Sequence, residues 1–205
     1  MIIKNFPSGP LSVNCYFVGD ELTKKAFIVD PGGYNTELEK FVSENAYSVE
    51  YIVLTHGHSD HIGGVKAFKE AFHSKIVAHK DEQSLLNDAA NNYSVQVYGK
   101  PIAFEADLYV DDAKHLEVGR MMLYFIHTPG HSPGGMSILV DNHLFSGDSL
   151  FFESIGRTDF PYSSFDDLSK SIHEKLFRLP DDTIVHPGHM GETTIGHEKK
   201  YNPFV

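Results

Sequence analysis

Short runs of apolar residues, most of them bounded by Gly, Pro, Asn or Asp, recur along the chain and predict β-strands. Three runs form a meander before the breaker Asp30-Pro31-Gly32-Gly33, namely Ile2–Phe6, Val13–Val18 and Ala26–Val29. A continuous apolar run at Tyr51–Leu54 predicts a buried strand. Further strands are predicted at Lys75–Ala78, Leu108–Val110, Met121–His127, Met136–Val140, His143–Ser146 and Thr183–Val185. Asp141-Asn142 lies between two of these runs, as is typical of a hairpin turn.

Apolar residues at helical spacing predict helices between these strands. Two of them have clear start signals: a helix at 36–45 with Asn35 or Thr36 as its N-cap, and a helix from Phe165 to Leu176 with Ser164 as its N-cap. Others are predicted from Ile62 to Phe72 and at Lys80–Leu86, and Asn87–Lys100 is expected to be a loop or short helix near the functional site. The pattern indicates an α/β fold in which two packed sheets carry helices outside them.

Length and charge narrow the class of protein. A chain of 205 residues is long enough for one sizeable core, so we expect a single domain over 1–205. The formal charge of −11 disfavours nucleic acid as a partner, since such proteins present basic faces. The single Cys15 excludes an internal disulfide, and neither a signal peptide nor a membrane-spanning run is visible. We therefore expect a cytoplasmic enzyme that acts on a small molecule without a membrane, and the sequence does not indicate an oligomeric state.

The stretch Thr55–Gly64 contains four residues of metal-binding type, His56, His58, Asp60 and His61. Alternate positions of an extended segment face the same way, which predicts that the first three share one face. His61 breaks the alternation, so a turn is required there. The cluster thus lies between a buried strand and a helix, where open α/β sheets place their chemistry. Four such side chains in one loop suffice to serve two ions.

Three further strand ends carry a single residue of the same type. They are His131, Asp148 and His189, and each directly follows a glycine. Taken alone, each is more often a surface or capping residue. Together with the first cluster they form a set of seven, which predicts a metal centre with two ions.

The order His-x-His-x-Asp-His, then a lone His, a lone Asp and a lone His, resembles the signature of the metallo-β-lactamase-fold hydrolases. Within that group the chain is most similar to short glyoxalase II-like proteins, through TPGHSPGG, FSGDSLF, SIGRTDFP and PGHMGETTIGHEKKYNPF. The resemblance implies a four-layer αββα sandwich built from two similar halves. It also implies a ligand set: His56, His58 and His131 on the first metal, Asp60, His61 and His189 on the second, and Asp148 on both.

This ligand set predicts a hydrolase. Two divalent ions among five neutral imidazoles and two carboxylates leave a positive site, which attracts an anionic or carbonyl substrate. A water shared by the ions is deprotonated near neutral pH, and the resulting bridging hydroxide would attack a thioester carbonyl such as that of S-lactoylglutathione. Asp60 and His61 are the catalytic candidates, with Asp60 orienting the hydroxide as a ligand. Ligands without Cys favour zinc, with iron or manganese as alternatives.

Other activities remain open at this point. The GRTDF stretch also resembles persulfide dioxygenases, oxidoreductases with a single iron, whereas the segment after His189 is closer to the glyoxalase-like form. A lactonase or phosphodiesterase would use the same residues; a β-lactamase is disfavoured, because many carry Cys at the position of Asp148 and are exported. Full-length glyoxalase II has a further helical domain that helps to bind glutathione, whereas this chain ends at Val205. Thioester hydrolysis is therefore expected with little thiol selectivity.

A few residues outside the set are expected to have supporting roles. The resemblance gives Asp30 a place behind the His loop, orienting it. Arg157 and Asp159 either hold the loop after Asp148 or form a surface ion pair. Aromatic residues that could wall a substrate pocket are Tyr93, Phe151, Phe152 and Tyr162. The remaining histidines match no ligand position and are expected to be packing or surface residues.

Overall fold

Two six-stranded sheets dominate the computed structural model, which describes residues 1–205. The first sheet contains β1 (Ile2–Asn5), β2 (Tyr16–Gly19), β3 (Lys25–Val29), β4 (Ser48–Val53), β5 (Lys75–His79) and β6 (Leu108–Val110), in that order. Strands β1 to β3 are antiparallel, and β3 to β6 are parallel. The carboxyl ends of β4 and β5 therefore open on the same edge.

The second sheet is built from the later part of the chain. The strands that follow are β7 (His115–Val118), β8 (Met121–His127), β9 (Met136–Val140), β10 (His143–Gly147), a ribbon of β11 (Leu150–Phe151) and β12 (Ser154–Ile155), then β13 (Ile184–Pro187) and β14 (Thr193–Thr194). The sheet order is β14-β13-β10-β9-β8-β7, with β10 and β13 parallel.

Helices cover the outer faces of both sheets. They are α1 (Thr36–Glu44), α2 (Ser59–Ile62), α3 (Val65–Phe72), α4 (Gln83–Leu86), α5 (Ser94–Tyr98), α6 (Phe165–Glu174) and α7 (Ile195–Tyr201). Asn35 caps α1 through its side-chain oxygen, and Ser164 caps α6, as the sequence predicts. No helix of the chain combines the length and the apolar character needed to cross a membrane.

Three separate apolar clusters show that the layers stack as αββα. One cluster joins α1 and α3 to the outer face of the first sheet, a second fills the space between the sheets, and a third joins α6 to the outer face of the second sheet. Strand β3 illustrates the alternation, because Phe27 faces the middle cluster while Ile28 faces the outer one. The predicted α/β sandwich in a single domain is confirmed.

Several predicted elements differ from the structure. The helix expected from Ile62 to Phe72 is divided at Gly63-Gly64, because the Gly64 N–H donates to the Pro31 carbonyl at 2.7 Å instead of continuing the helix. The segment Lys80–Leu86 is a 3-10 turn followed by α4 rather than one helix. The strand at Thr183–Val185 is neither correctly bounded nor the last, because β13 runs to Pro187 and β14 follows. Strand β7 and helix α7 were not predicted.

Candidate metal centre

All seven predicted residues converge at one edge of the sandwich. Each leaves the end of a strand: the His56–His61 segment follows β4, His131 follows β8, Asp148 follows β10 and His189 follows β13. The side chains of both sheets therefore meet where their strands end. Separations within the set are given by His58 Nδ1 to His131 Nε2 at 2.9 Å and His189 Nε2 to Asp60 Oδ2 at 3.2 Å.

The convergent residues divide into two triads. His56, His58 and His131 form one, and Asp60, His61 and His189 form the other. Asp148 lies between them, with Oδ2 3.6 Å from His131 Nε2 and Oδ1 3.3 Å from His61 Nε2. This division agrees with the ligand set implied by the family resemblance. The expectation that Asp60 shares an extended face with His56 and His58 is wrong, because α2 begins at Ser59 and carries Asp60 to the triad of His61.

Hydrogen bonds on the outer side of the rings determine which nitrogen of His58 and of His131 carries the proton. The Tyr162 hydroxyl donates to the Asn91 carbonyl at 2.9 Å, so its oxygen accepts from His58 Nε2 at 2.7 Å. His131 Nδ1 donates to the Arg157 carbonyl at 2.8 Å. The inward nitrogens of both rings, His58 Nδ1 and His131 Nε2, therefore carry lone pairs. Two lone pairs that face each other at 2.9 Å repel unless a cation lies against them.

Asp30 fixes the other two buried rings in the same way. Its Oδ2 accepts from His61 Nδ1 at 2.9 Å and from the Thr55 hydroxyl at 2.5 Å, and the Thr55 oxygen in turn accepts from His56 Nδ1 at 3.1 Å. The expected orienting contact of Asp30 is thus present. His56 therefore also turns a lone pair inward, and His61 turns its Nε2 inward, because the other nitrogen of each ring is held.

Unpartnered buried atoms test whether the residues suit a metal. Three buried side-chain atoms in the chain have no hydrogen-bond partner: His56 Nε2, His61 Nε2 and Asp148 Oδ1. All three belong to the centre and point into it. An unsatisfied buried polar atom is costly, and three together call for a shared partner that accepts lone pairs. Divalent cations fit this set.

The charges of the two triads also favour a divalent cation. Burial, and then the neighbouring His131, lower the pKa of His58 to about 3, and burial lowers the pKa of His56 and His131 below the usual range. Burial also acts to lower the pKa of His61, but Asp148 and Asp60 outweigh it and raise that pKa well above the ordinary value. The first triad is therefore neutral at pH 7, whereas the second lies in a negative field that attracts cations.

A pocket of about 670 Å³ opens over the centre. Its walls combine aromatic and aliphatic side chains with polar groups from α5 and from the segment after β12, including Leu11, Asn92, Tyr93, Gln96, Val97, Phe151, Ile155, Arg157 and Phe160. The expected position of the Asn87–Lys100 region near the site is confirmed. Tyr93 and Phe151 wall the pocket as predicted, whereas Phe152 stacks on His197 away from it.

Arg157 contributes to this region through two different groups. Its carbonyl holds His131, while its guanidinium pairs with Asp159 at 2.6 and 2.7 Å and lies 4.4 Å from the Phe160 ring centroid. Both charged side chains are mostly exposed. The ion pair is thus at the surface, and the loop contact is made by the backbone.

A second group of possible ligands, His79, Asp81 and His127, lies next to the centre. The rings of His79 and His127 stack at 3.9 Å, and His127 Nε2 donates to the Pro133 carbonyl at 2.9 Å. That nitrogen is therefore occupied by a proton. The contacts fasten the ends of β5 and β8, in agreement with the structural role expected for His127.

Sequence reasoning missed Thr55 and Glu82, and Tyr162, expected in the pocket wall, instead holds His58 through its hydroxyl. Thr55, Tyr162 and Glu82 each contact a ligand or a ligand loop, but no motif distinguishes them. Tyr162 is 104 positions from His58. Only the folded chain brings such pairs together.

The model of the metallo-beta-lactamase superfamily matches residues 8–189. The chain belongs to the metallo-beta-lactamase superfamily. Among curated relatives in this superfamily, the probable metallo-hydrolase YqgX of Bacillus subtilis is 36% identical over 98% of this chain and 96% of its own. The hydroxyacylglutathione hydrolase GloC of Haemophilus influenzae is 34% identical over 100% and 98%. A hydrolase of this superfamily that binds metal is therefore the general class.

Solved superfamily structures agree with the fold over nearly the whole chain. BLEG-1, a B3 metallo-beta-lactamase, superposes with a TM-score of 0.92 at 40% identity, covering 99% of both chains. TTHA1623, solved in a di-iron-bound form, gives 0.85 at 30% identity and covers 98% of this chain and all of its own. ETHE1 from Myxococcus xanthus gives 0.83 at 28% identity, covering 99% of this chain and 84% of its own.

Proposed function

We propose that the protein is a binuclear, metal-dependent thioester hydrolase of the glyoxalase II-like kind. The observation that carries this proposal is the pair of triads joined by Asp148, with unpartnered buried atoms facing inward. The similarity to GloC, a hydroxyacylglutathione hydrolase, supports a thioester as the substrate class. The whole domain, residues 1–205, would serve this one activity.

Each triad would hold one ion. His56, His58 and His131 would hold the first, Asp60, His61 and His189 the second, and Asp148 would contact both. Two divalent ions bound there would lower the pKa of a water to about 7 and polarise a carbonyl. Zinc is the first choice because His and carboxylate ligands suit it, and iron is the second, supported by the di-iron form of TTHA1623.

Residues of the pocket floor would position the reactants. Asp60 and His189 are partly exposed to the pocket, and the contact between them fixes the Asp60 carboxylate. Asp60 would orient the attacking water by accepting a hydrogen bond from it. His61 is fully buried, so its catalytic role would be to hold the centre with Asp148 rather than to touch substrate. Tyr93 and Phe160 would pack against the acyl and thiol parts and exclude water.

The second candidate is a persulfide dioxygenase with a single iron. The GRTDF stretch and the structural similarity to ETHE1 favour it. The two candidates differ in how many triads bind metal. A dioxygenase of that kind needs one iron, whereas the hydrolase needs both triads.

Metal analysis combined with a substrate panel tests the proposal. The purified protein, reconstituted with zinc and separately with iron(II), is assayed on S-lactoylglutathione, on glutathione persulfide with oxygen uptake, and on a β-lactam because of the similarity to BLEG-1. We expect two ions per chain and hydrolysis of the thioester. One iron per chain, retained in His61→Ala and His189→Ala variants and coupled to oxygen uptake, would replace the hydrolase with the dioxygenase.

A further inference from the structure

Glu82 is a fully buried carboxyl group outside the seven-residue set. It ends the 3-10 turn Lys80–Glu82 that follows β5. Its partners are two backbone N–H groups and one hydroxyl, none of them charged. Burial raises the pKa of Glu82 to about 7 against the lowering effect of these bonds. A buried carboxyl without a cation is costly, so its contacts are the place to look for a role.

The partners of Glu82 belong to two different loops of the centre. Oε1 accepts from the backbone N–H of Gly57, which lies between His56 and His58, at 2.8 Å. Oε2 accepts from the N–H of Gly134 at 2.6 Å and from the Ser132 hydroxyl at 3.0 Å. Ser132 directly follows His131. One carboxylate thus connects both sources of the first triad.

These two loops leave different sheets and meet at the first triad. The His56–His58 loop extends from β4 of the first sheet, and the His131 loop from β8 of the second. A backbone bond from Met136 N to Thr55 O, 2.8 Å long, joins the loops at their bases. Glu82 joins them nearer their tips. Glu82 therefore adds a second connection between the loops that carry His58 and His131.

We propose that Glu82 is a positioning residue that sets the geometry, and hence the metal affinity, of the triad His56, His58 and His131. The inference rests on the proposed metal centre and goes beyond it, because Glu82 contacts none of the seven residues. Residues behind metal ligands typically change affinity by roughly ten- to a hundredfold when altered.

Only a group with two acceptor oxygens satisfies this arrangement. In Glu82→Gln, one terminal atom becomes an NH₂ group with two donors and no acceptor. Whichever way the amide is turned, that NH₂ faces a backbone N–H, either of Gly57 or of Gly134. The Ser132 hydroxyl can rotate away, but the backbone donors cannot. The two loops would therefore move apart although the side chain keeps its size.

The second triad has contacts of its own that do not involve Glu82: His61 Nδ1 donates to Asp30 at 2.9 Å, and the Ser59 N–H, at the start of the helix that carries Asp60, donates to the Asn92 carbonyl at 2.9 Å. The His189 loop is held by Asn14, whose side chain donates to the Pro187 and Met190 carbonyls at 2.9 Å and whose N–H donates to the Gly188 carbonyl at 2.8 Å. The effect of Glu82→Gln should accordingly be confined to the first triad.

Variants that each keep only one of the two triads allow the effect of Glu82→Gln on each triad to be measured separately. The affinity for Zn²⁺ is determined by competition with a chromophoric chelator in His189→Ala, which keeps the first triad, and in His58→Ala, which keeps the second. Adding Glu82→Gln to His189→Ala should weaken zinc binding about ten- to a hundredfold. Adding it to His58→Ala should change zinc binding less than about threefold. Equal zinc affinity with and without Glu82→Gln in the His189→Ala background would overturn the proposal.

Glu198→Gln is the matched control for a general loss of stability. Glu198 is also fully buried, and it accepts from the Glu153 N–H, the Thr193 hydroxyl and the Asn202 amide. Both substitutions should lower the melting temperature, but only Glu82→Gln should weaken the first triad. An equal zinc loss in both would show a merely structural role. Should Glu82→Gln fail to fold, Ser132→Ala removes one of the three bonds and should weaken the first triad by a few-fold; an unchanged affinity there would count against the proposal.

Hydrolysis by the unsubstituted protein separates this inference from the proposed function. If the protein binds zinc but hydrolyses no thioester, and Glu82→Gln still weakens the first triad, the proposed substrate fails and the inference holds. If thioesters are hydrolysed and Glu82→Gln leaves both triads unchanged, only the inference fails. A protein that binds neither zinc nor iron(II) at either triad would refute both.

Discussion

At the scale of single residues, Asp148 lies between the two triads. Its two oxygens lie 3.3 to 3.8 Å from His61, His131 and His189, which belong to both triads. Burial opposes its ionisation, but His61 and the other histidines hold the pKa of Asp148 below the usual range. The group is therefore an anion that both ions would share.

We predict that Asp148→Ala lowers thioester hydrolysis by about a thousandfold or more, since metal-assisted activation contributes several kcal/mol. Metal content should fall while far-ultraviolet circular dichroism stays unchanged, because the three apolar clusters do not include this residue. Asp182→Ala, at an exposed position, serves as the control. Turnover in Asp148→Ala near that of the control would show that Asp148 does not bridge the two ions.

Sequence and structure agree best for the residues that carry the chemistry. Histidines and aspartates that follow strand ends are visible in the sequence, and the five histidines and two aspartates of the predicted set meet in the structure. Apart from Asp30, which the family resemblance supplies, the residues that hold them are not visible, because the partners are distant in sequence, as are His58 and Tyr162 or Glu82 and Ser132. Which nitrogen of each ring faces inward is likewise decided by contacts that form only on folding.

At the scale of elements, the break between α2 and α3 shapes the His loop. Gly63 and Gly64 permit α2 to pack against the Asp30–Gly33 turn, where the Gly64 N–H donates to the Pro31 carbonyl at 2.7 Å. Helical periodicity alone predicts one continuous helix here, since the spacing of Ile62, Val65 and Phe68 suits it. The close approach of another backbone is a tertiary effect that periodicity does not report.

We predict that Gly63→Ala lowers the free energy of unfolding by about 1–3 kcal/mol, as overpacking does. The added Cβ would lie 2.3 Å from the Gly32 carbonyl oxygen and 2.2 Å from the Tyr98 hydroxyl. Gly191→Ala is the control, because a Cβ there meets nothing within 4 Å. Urea denaturation of both variants measures the difference. Equal midpoints for the two variants would mean that the turn yields to the methyl group.

The two elements that were not predicted, β7 and α7, have only weak hydrophobic patterns in the sequence. Strand β7 is short and at the sheet edge, and only Val118 of its four residues is fully buried. Helix α7 contains Gly196 and two lysines and begins with a Thr194 cap rather than an apolar stripe. The long, buried strands and the capped helices were predictable because pattern and packing agree there.

At the scale of the whole molecule, one buried carboxylate connects the two sheets. Asp20 follows β2, and it pairs with Arg120, which lies between β7 and β8, at 2.7 Å. Its carboxylate also accepts from the Thr23 hydroxyl. The Arg120 guanidinium holds the pKa of Asp20 well below the usual range.

This pKa gives the stability of the protein an acid dependence. A carboxyl whose pKa is depressed on folding stabilises the native state above its unfolded pKa, near 3.9, and loses that contribution as the pH falls towards its folded value. We predict that Asp20→Asn is less stable than the unsubstituted protein at pH 7 and that the difference shrinks as the pH falls below about 4. Urea midpoints at pH 7, 5 and 3 measure it. A difference that is the same at all three values would exclude the Asp20–Arg120 pair as its source.

The charge distribution around the pocket also bears on which thioesters the protein would select. Glutathione carries two carboxylates, and their recognition needs convergent cations. Among the residues that line the pocket only Arg157 carries a basic side chain besides the histidines, and Asp159 already pairs with it. The net charge of −11 gives no compensating field.

We therefore predict little preference for glutathione over other thiols that share one acyl group. A missing charge-assisted contact removes about 1.5–3 kcal/mol, or roughly ten- to a hundredfold in kcat/KM. The measurement is kcat/KM for lactoyl thioesters of glutathione, coenzyme A and N-acetylcysteine. Arg157→Gln is the informative variant. If the guanidinium pairs with Asp159 rather than with substrate, the ratios of kcat/KM between the three thioesters should stay within about threefold of those of the unsubstituted protein. An exposed ion pair of this kind contributes little free energy. A glutathione preference on the order of a thousandfold, lost in Arg157→Gln, would instead show that Arg157 leaves Asp159 to bind the thiol.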